Sequence, residues 1–279
     1  MAVHHSNLLF FTSVLALVAP LLALNIENLE RLKANLNEIT NLRSGEPHRG
    51  EHGENMQLSR ASDPQQRENR SWPKDCSEIP AGSPSGIYVI QPAGLHPIVV
   101  SCEMNVTDGG WTVIQRNRQS TEITWAESWS TYKYGFGNVH TEYWLGTEYI
   151  HHISKQKVYQ VRFVIWDATN ATKFADYNLF SVEDESQGYR LRLGAYSGTA
   201  GDAMASNSAA TMHDNMKFSA KDLDQDTHSG NCASSYGGGW WYSACYSVRL
   251  NIKGSITWGS LCNGNCKASA ILIKPAPYC

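Results

Sequence analysis

The chain has 279 residues, of which 42% are hydrophobic and 18% charged, with a formal net charge of −3. That near-neutral balance excludes the basic surface of a nucleic-acid-binding protein. Nine Trp and thirteen Tyr imply a large aromatic core, an aromatic binding face, or both.

Residues 8–22 form an apolar run that ends at the small Ala23. The run is shorter than the roughly 20 apolar residues a membrane helix needs. It reads as a secretory signal peptide over residues 1–23, although the seven residues before it carry two His and no Lys or Arg. No later segment is apolar enough to span a bilayer, so the mature chain is expected to be soluble, secreted and extracellular. Three glycosylation sequons agree with export: Asn69 with Ser71, Asn105 with Thr107, and Asn170 with Thr172.

Residues 24–43 read as a short amphipathic helix. Leu29 and Leu36 lie seven apart, as do Leu32 and Ile39, which makes about two heptads of a coiled-coil seam. The segment is either a small oligomerisation stalk or a marginal surface helix. Residues 44–71 are rich in Gly, Pro, Ser, Glu and Arg and nearly free of apolar side chains, the composition of a flexible linker.

Residues 72–279 are long enough to bury one core. The runs at 87–90 and 111–114 are β-rich and bounded by Gly or Pro. Trp125, Trp129 and Tyr132 fall at helical spacing. Tyr159, Val161, Phe163 and Ile165 alternate as in a half-buried strand, and so do Tyr189, Leu191 and Leu193. Without a βαβ rhythm the class is α+β, with an antiparallel sheet and short helices. From Gly194 onward Gly, Ser and Asn dominate, so the last third reads as loop-rich and dependent on disulfides and an ion.

Within that third, Asp222, Asp224 and Asp226 alternate and are followed by His228, Gly230, Asn231 and Cys232. Hard divalent cations take several oxygen ligands from such loops. The EF-hand pattern is incomplete, since no Glu closes it, and the spacing alone fits a solvated acidic turn equally well. Cys76, Cys102, Cys232, Cys245, Cys262, Cys266 and Cys279 make an odd set. After export most should pair, in a connectivity that spacing does not fix. Export favours a disulfide over zinc for Cys262 and Cys266, and Cys279 is the natural candidate for a bond to another chain.

Nine segments resemble the fibrinogen C-terminal domain family, in family order. They are residues 75–79 (DCSEI), 85–92 (SGIYVIQP), 109–116 (GGWTVIQR), 135–137 (GFG), 142–146 (EYWLG), 196–202 (YSGTAGD), 216–219 (MKFS), 224–233, and 239–242 (GWWY) with Cys245. The resemblance covers essentially all of 72–279. It implies that fold, with a loop-rich C-terminal calcium-binding part, and the disulfides Cys76–Cys102 and Cys232–Cys245. The second closes a short loop, a contribution on the order of 3 kcal/mol in the chain-entropy account. It implies a Ca²⁺ site made of the Asp224 and Asp226 carboxylates and the backbone carbonyls of His228 and Gly230, with Asp222 outside the first set of ligands. An extracellular-type affinity near ~10⁻⁴ M is expected for so few carboxylates. It also implies a cis peptide between Asn231 and Cys232.

The ligand pocket carries over less well. In the resemblance it lies beside the ion and uses residues after Asn231 and Cys232, a His after the second cysteine, and a long loop. Here Tyr236 matches an aromatic pocket residue, but Tyr246 stands at the His position, and only four residues separate Asn251 from Ile256. A Tyr cannot carry the positive charge that His can. Asn263 and Gly264 suit a tight turn, which makes a Cys262–Cys266 staple plausible. Trp240 and Trp241 read as core, whereas Tyr236 and Tyr246 fit a site and a structural role equally.

Catalytic signatures are missing: no nucleophile elbow, no zinc-protease helix and no phosphate-cradling Lys loop. His151 and His152 are adjacent on a short helix and point different ways, a poor metal pair. The expected function is a secreted, calcium-binding recognition module for an extracellular protein ligand or receptor. The alternative is a soluble lectin-type protein that binds acetylated sugars. Self-association through the N-terminal helix or Cys279 is a further expectation.

Overall fold

The computed structural model describes residues 71–277. The signal peptide, the stalk helix, all but the last residue of the linker, Asn69 and Cys279 lie outside the described residues. Along the chain run β1 (Gly86–Ile90), β2 (Ile98–Glu103), β3 (Trp111–Arg118), α1 (Trp129–Tyr134), β4 (Phe136–Gly137), β5 (Tyr143–Trp144), α2 (Thr147–Ser154) and β6 (Tyr159–Trp166). They are followed by β7 (Thr172–Val182), β8 (Leu191–Leu193), β9 (Tyr196–Gly198), α3 (Cys232–Tyr236), β10 (Val248–Arg249), β11 (Thr257–Trp258) and β12 (Ala268–Pro275).

One antiparallel sheet carries the order β1-β2-β3-β12-β6-β7-β8, with β5 joining β3 and β4, and β9 joining β7. This is the expected α+β architecture. In β6, Tyr159, Val161, Phe163 and Ile165 are buried and the residues between them half-buried, the two-residue alternation of a strand with one face on the core. β12 lies between β3 and β6, with Ile271 opposite Gln115 on one side and Phe163 on the other. Its run from Ser269 to Ile273 is continuously buried, as befits a strand enclosed on both edges and both faces.

Some local expectations are corrected. Helix α1 starts only at Trp129, where the Ser128 side chain accepts the N–H of Thr131. Trp125 stands outside it, fully buried, at φ +60°. Tyr189 likewise precedes β8 at φ +49° rather than continuing it. The stretch after Gly194 is mostly loop, yet it supplies β12 at the centre of the sheet. Trp240 and Trp241 are buried: Trp241 packs edge-on against Phe218 and Trp144, whose own rings stack at 5.8 Å.

Candidate functional site

The acidic loop is pinned from below by backbone and side chain alike. Ser219 and Trp240 exchange backbone hydrogen bonds of 2.9 and 3.1 Å. Gln225 donates its N–H to the Ser219 hydroxyl at 2.9 Å and its side-chain amide to the Phe218 carbonyl at 2.8 Å. The N–H of Thr227 reaches the Ser243 carbonyl at 3.1 Å. Asp222 turns away from the loop and accepts the N–H of Trp129 at 2.7 Å, at the start of α1.

Asp224 and Asp226 come together at the top of this loop. The Asp224 carboxylate accepts the N–H of Asp226 at 3.2 Å. The two oxygens of Asp226 accept from the N–H groups of His228 at 2.9 Å and Cys232 at 2.8 Å. Burial raises the pKa of Asp226 above the usual carboxylate value; its two backbone donors oppose this, while the adjacent Asp224 carboxylate adds to it. Two converging carboxylates of which one is partly buried, on a loop rich in backbone carbonyls, are a donor set of hard oxygens that fits a divalent cation such as Ca²⁺.

His228 folds back, and its Nδ1 accepts the N–H of Gly230 at 3.0 Å. His228, Cys232 and Cys245 have donor atoms within 4.8 Å of one another. Both sulfurs are spent in the Cys232–Cys245 disulfide, so this cluster offers no thiolate to a soft metal. Cys76–Cys102 and Cys262–Cys266 are also bonded, so the three pairings expected or held plausible from the sequence all occur.

The expected cis peptide is misplaced by the sequence reading: it lies between Ala244 and Cys245, not between Asn231 and Cys232. Asn231 instead caps α3, accepting the N–H of Ser234 at 2.7 Å, while its amide reaches the carbonyls of Ala220 and Lys221. Asn231 is half-buried in this cap, and Cys232 is fully buried in its disulfide.

Tyr236 and Tyr246 are brought together. Tyr236, at the end of α3, is 40% exposed, and its ring meets that of Tyr246 edge-on at 4.9 Å. Tyr242 backs Tyr246 at 6.4 Å. The β10–β11 hairpin adds a residue that sequence reasoning missed. Arg249 sets its guanidinium 5.3 Å from the Tyr236 ring centre and 4.7 Å from that of Tyr246. A lone cation three residues after Tyr246 was the available signal, but only the packing of α3 against the hairpin turns it into a ring contact.

His213 was also missed. It is fully buried behind this face, with Nδ1–H donating to the Trp241 carbonyl at 2.8 Å. Its Nε2 accepts the N–H groups of Ser247 at 3.1 Å and Val248 at 2.9 Å. Burial pushes its pKa down to about 4, against a smaller opposing effect of the Trp241 carbonyl, so the ring is neutral. It ties the two segments that flank Cys245.

Residues 72–266 match the family described as fibrinogen beta and gamma chains, C-terminal globular domain. The chain belongs to the fibrinogen C-terminal domain family. It is 57% identical over 192 residues to the fibrinogen-like protein 1-like protein of Gallus gallus, a match covering 68% of each chain. It is 44% identical over 188 residues to fibrinogen-like protein A of Apostichopus parvimensis, across 64% of each. Angiopoietin-related protein 1 of Homo sapiens is 42% identical over 174 residues, 61% of this chain but only 34% of that one. Among solved structures, the fibrinogen-like globe domain of human ANGPTL2 superposes with a TM-score of 0.68 at 34% identity, covering 74% of this chain and all of that one. The lamprey fibrin D-dimer complexed with the peptide Gly-His-Arg-Pro-amide gives 0.70 at 26% identity, over 97% and 90%. The fibrinogen-like and angiopoietin-related homologues are non-enzymatic signalling or structural proteins. Among the described residues no helix is long and apolar enough to cross a membrane.

Proposed function

We infer that this fibrinogen-like protein is a secreted recognition module, stabilised by Ca²⁺, that presents Tyr236 and Tyr246 to an extracellular protein ligand. The observation that carries this reading is a continuous chain of contacts. Asp226 holds the N–H of Cys232, Cys232 opens α3 and is bonded to Cys245, and Tyr236 and Tyr246 follow at the ends of those two segments. Asp224 and Asp226, with the carbonyls of His228 and Gly230, hold the ion, whose charge offsets the two carboxylates. The ion thereby steadies the base of the tyrosine face.

Three disulfides among the described residues support an oxidising compartment. Asn105 and Asn170 are exposed, Asn170 in the turn between β6 and β7, as glycosylated asparagines must be. The N-terminal leader exports the chain, residues 24–43 and Cys279 link copies of it, and residues 44–71 tether the domain. The lamprey relative holds a short peptide, which supports a protein ligand over an acetylated sugar, as does the short connection between β10 and β11.

The experiment is affinity capture from cell-surface and plasma fractions with the full secreted protein, alongside an array of immobilised acetylated amino sugars. Capture of a protein that depends on Ca²⁺ and is lost in Tyr236→Ala is expected. Calcium-dependent retention on the sugars, eluted by free acetylated sugar, would replace this reading with the lectin.

A further inference from the structure

We propose that Arg249 is a specificity-determining residue of the tyrosine face, and that it reads a carboxylate on an acidic side chain of the protein ligand. The inference rests on the reading of Tyr236 and Tyr246 as a ligand face. It adds the chemistry that the ligand must bring.

A guanidinium carries five N–H donors in a rigid plane and cannot be discharged. In this protein that capacity is almost unused. One Nη donor reaches the Ser255 carbonyl, at a long 3.4 Å. Nε is shut off from solvent and has no acceptor. Among the described residues Arg249 takes part in no ion pair, whereas Arg118, Arg162, Arg190 and Arg192 each lie against a carboxylate. Its neighbours are two aromatic faces, Tyr236 and Tyr246.

Ring faces attract a cation but accept little hydrogen bonding, and they fix the guanidinium plane without filling its edge. The buried Nε is out of a ligand's reach, so recognition falls to the two Nη groups, of which one has only the long contact to Ser255 and the other has no acceptor among the described residues. The group that suits the free edge is a carboxylate, which accepts two parallel N–H bonds from one guanidinium and cancels its charge. The single carbonyl of an acetyl group does neither. The backbone of Arg249 is locked into the hairpin opposite Thr257, so the fork is held in place before the ligand arrives.

The test follows the Nε–H signal of Arg249 in a ¹H–¹⁵N spectrum of the full secreted protein with saturating Ca²⁺, assigned by its loss in Arg249→Lys. The probes are N-acetyl-aspartate N-methylamide, its asparagine counterpart, and glucuronic acid. A saturable shift with the aspartyl probe, at least tenfold weaker with the asparaginyl one and weakened in Tyr236→Ala, is expected. No shift, or equal shifts with the two amino-acid probes, overturns the carboxylate assignment and leaves the face untouched. A shift with glucuronic acid alone overturns a protein ligand in favour of an acidic sugar. An aspartyl shift unchanged in Tyr236→Ala instead removes the tyrosine face from recognition. Unaltered melting of Arg249→Gln, with loss of the aspartyl response of the neighbouring tyrosine ring signals, separates recognition from folding.

Discussion

The N–H of Cys232 donates to Oδ2 of Asp226 at 2.8 Å, so one hydrogen bond joins the acidic loop to the disulfide that holds the tyrosine face. A change at the acidic loop should therefore be felt at the sulfur bridge, and the reverse.

A ligand that binds only the folded state raises its stability by RT ln(1 + [L]/Kd). For a site near ~10⁻⁴ M, about 2 mM Ca²⁺ contributes roughly 2 kcal/mol. For a domain of this size that raises Tm by about 5 °C. Calorimetry of the wild type with Ca²⁺ and with EDTA should show this shift. Asp224→Ala combined with Asp226→Ala should abolish it, and an equal shift in that variant would refute the site.

The three disulfides close loops of 26, 13 and 4 residues' separation. Loop-closure entropy ranks their removal at about 3.5, 3 and 2 kcal/mol respectively. Pairwise Cys→Ala variants followed by urea unfolding should keep that order. The Cys232–Cys245 pair should additionally weaken its Ca²⁺-dependent Tm shift, because the bridge positions the backbone N–H of Cys232 that Asp226 accepts.

His213 supplies a pH dependence. Its folded pKa, about 4, lies below the ordinary value near 6.5, so the unfolded chain takes up the proton first. The stability it contributes is complete above about pH 6.5 and falls progressively toward pH 4, by about 3 kcal/mol in all. Urea unfolding across that range should show a steeper loss for the wild type than for His213→Gln.

Gly238 packs against the β10–β11 connection. A Cβ there would meet the carbonyl oxygen of Asn251 at 1.7 Å, and backbone atoms cannot swing aside. Gly238→Ala should cost more than about 3 kcal/mol, as severe overpacking does, and secretion yield should collapse. By contrast Gly254→Ala meets nothing within 4 Å and bears only the strain of φ +84°, so secretion should persist.

Removing the side chain of Asn251 should also loosen the tyrosine face from within. Its amide donates to the Gly239 carbonyl at 3.1 Å and its oxygen accepts from Gln115 at 3.2 Å, all among buried residues. Asn251→Ala leaves the buried Gly239 carbonyl unsatisfied, while Gln115 keeps the Leu250 carbonyl and the Ser269 hydroxyl; the cost is roughly 1–3 kcal/mol, measurable as a lower urea midpoint.

Much of this protein was legible in its residues because the relevant signals are local. The alternation of Tyr159 to Ile165, the spacing of Asp224 and Asp226, and the segments shared with the fibrinogen C-terminal domain family need no knowledge of distant contacts. β12 escaped because a strand buried on every side shows no alternation; its apolar run acquires a partner only when β3 and β6 close on it. Trp125 and Tyr189 looked periodic but sit at positive φ, where the demands of the aromatic core outweigh helix or strand preference.

Tertiary structure alone decided which groups share a surface. Chain order separates Tyr236 from Arg249, and His213 from Val248, by stretches along which no periodicity operates. Side-chain chemistry and short-range backbone preference belong to the sequence. Ring stacking on Arg249 and the burial that keeps His213 neutral belong to contacts that exist only once the core has excluded water.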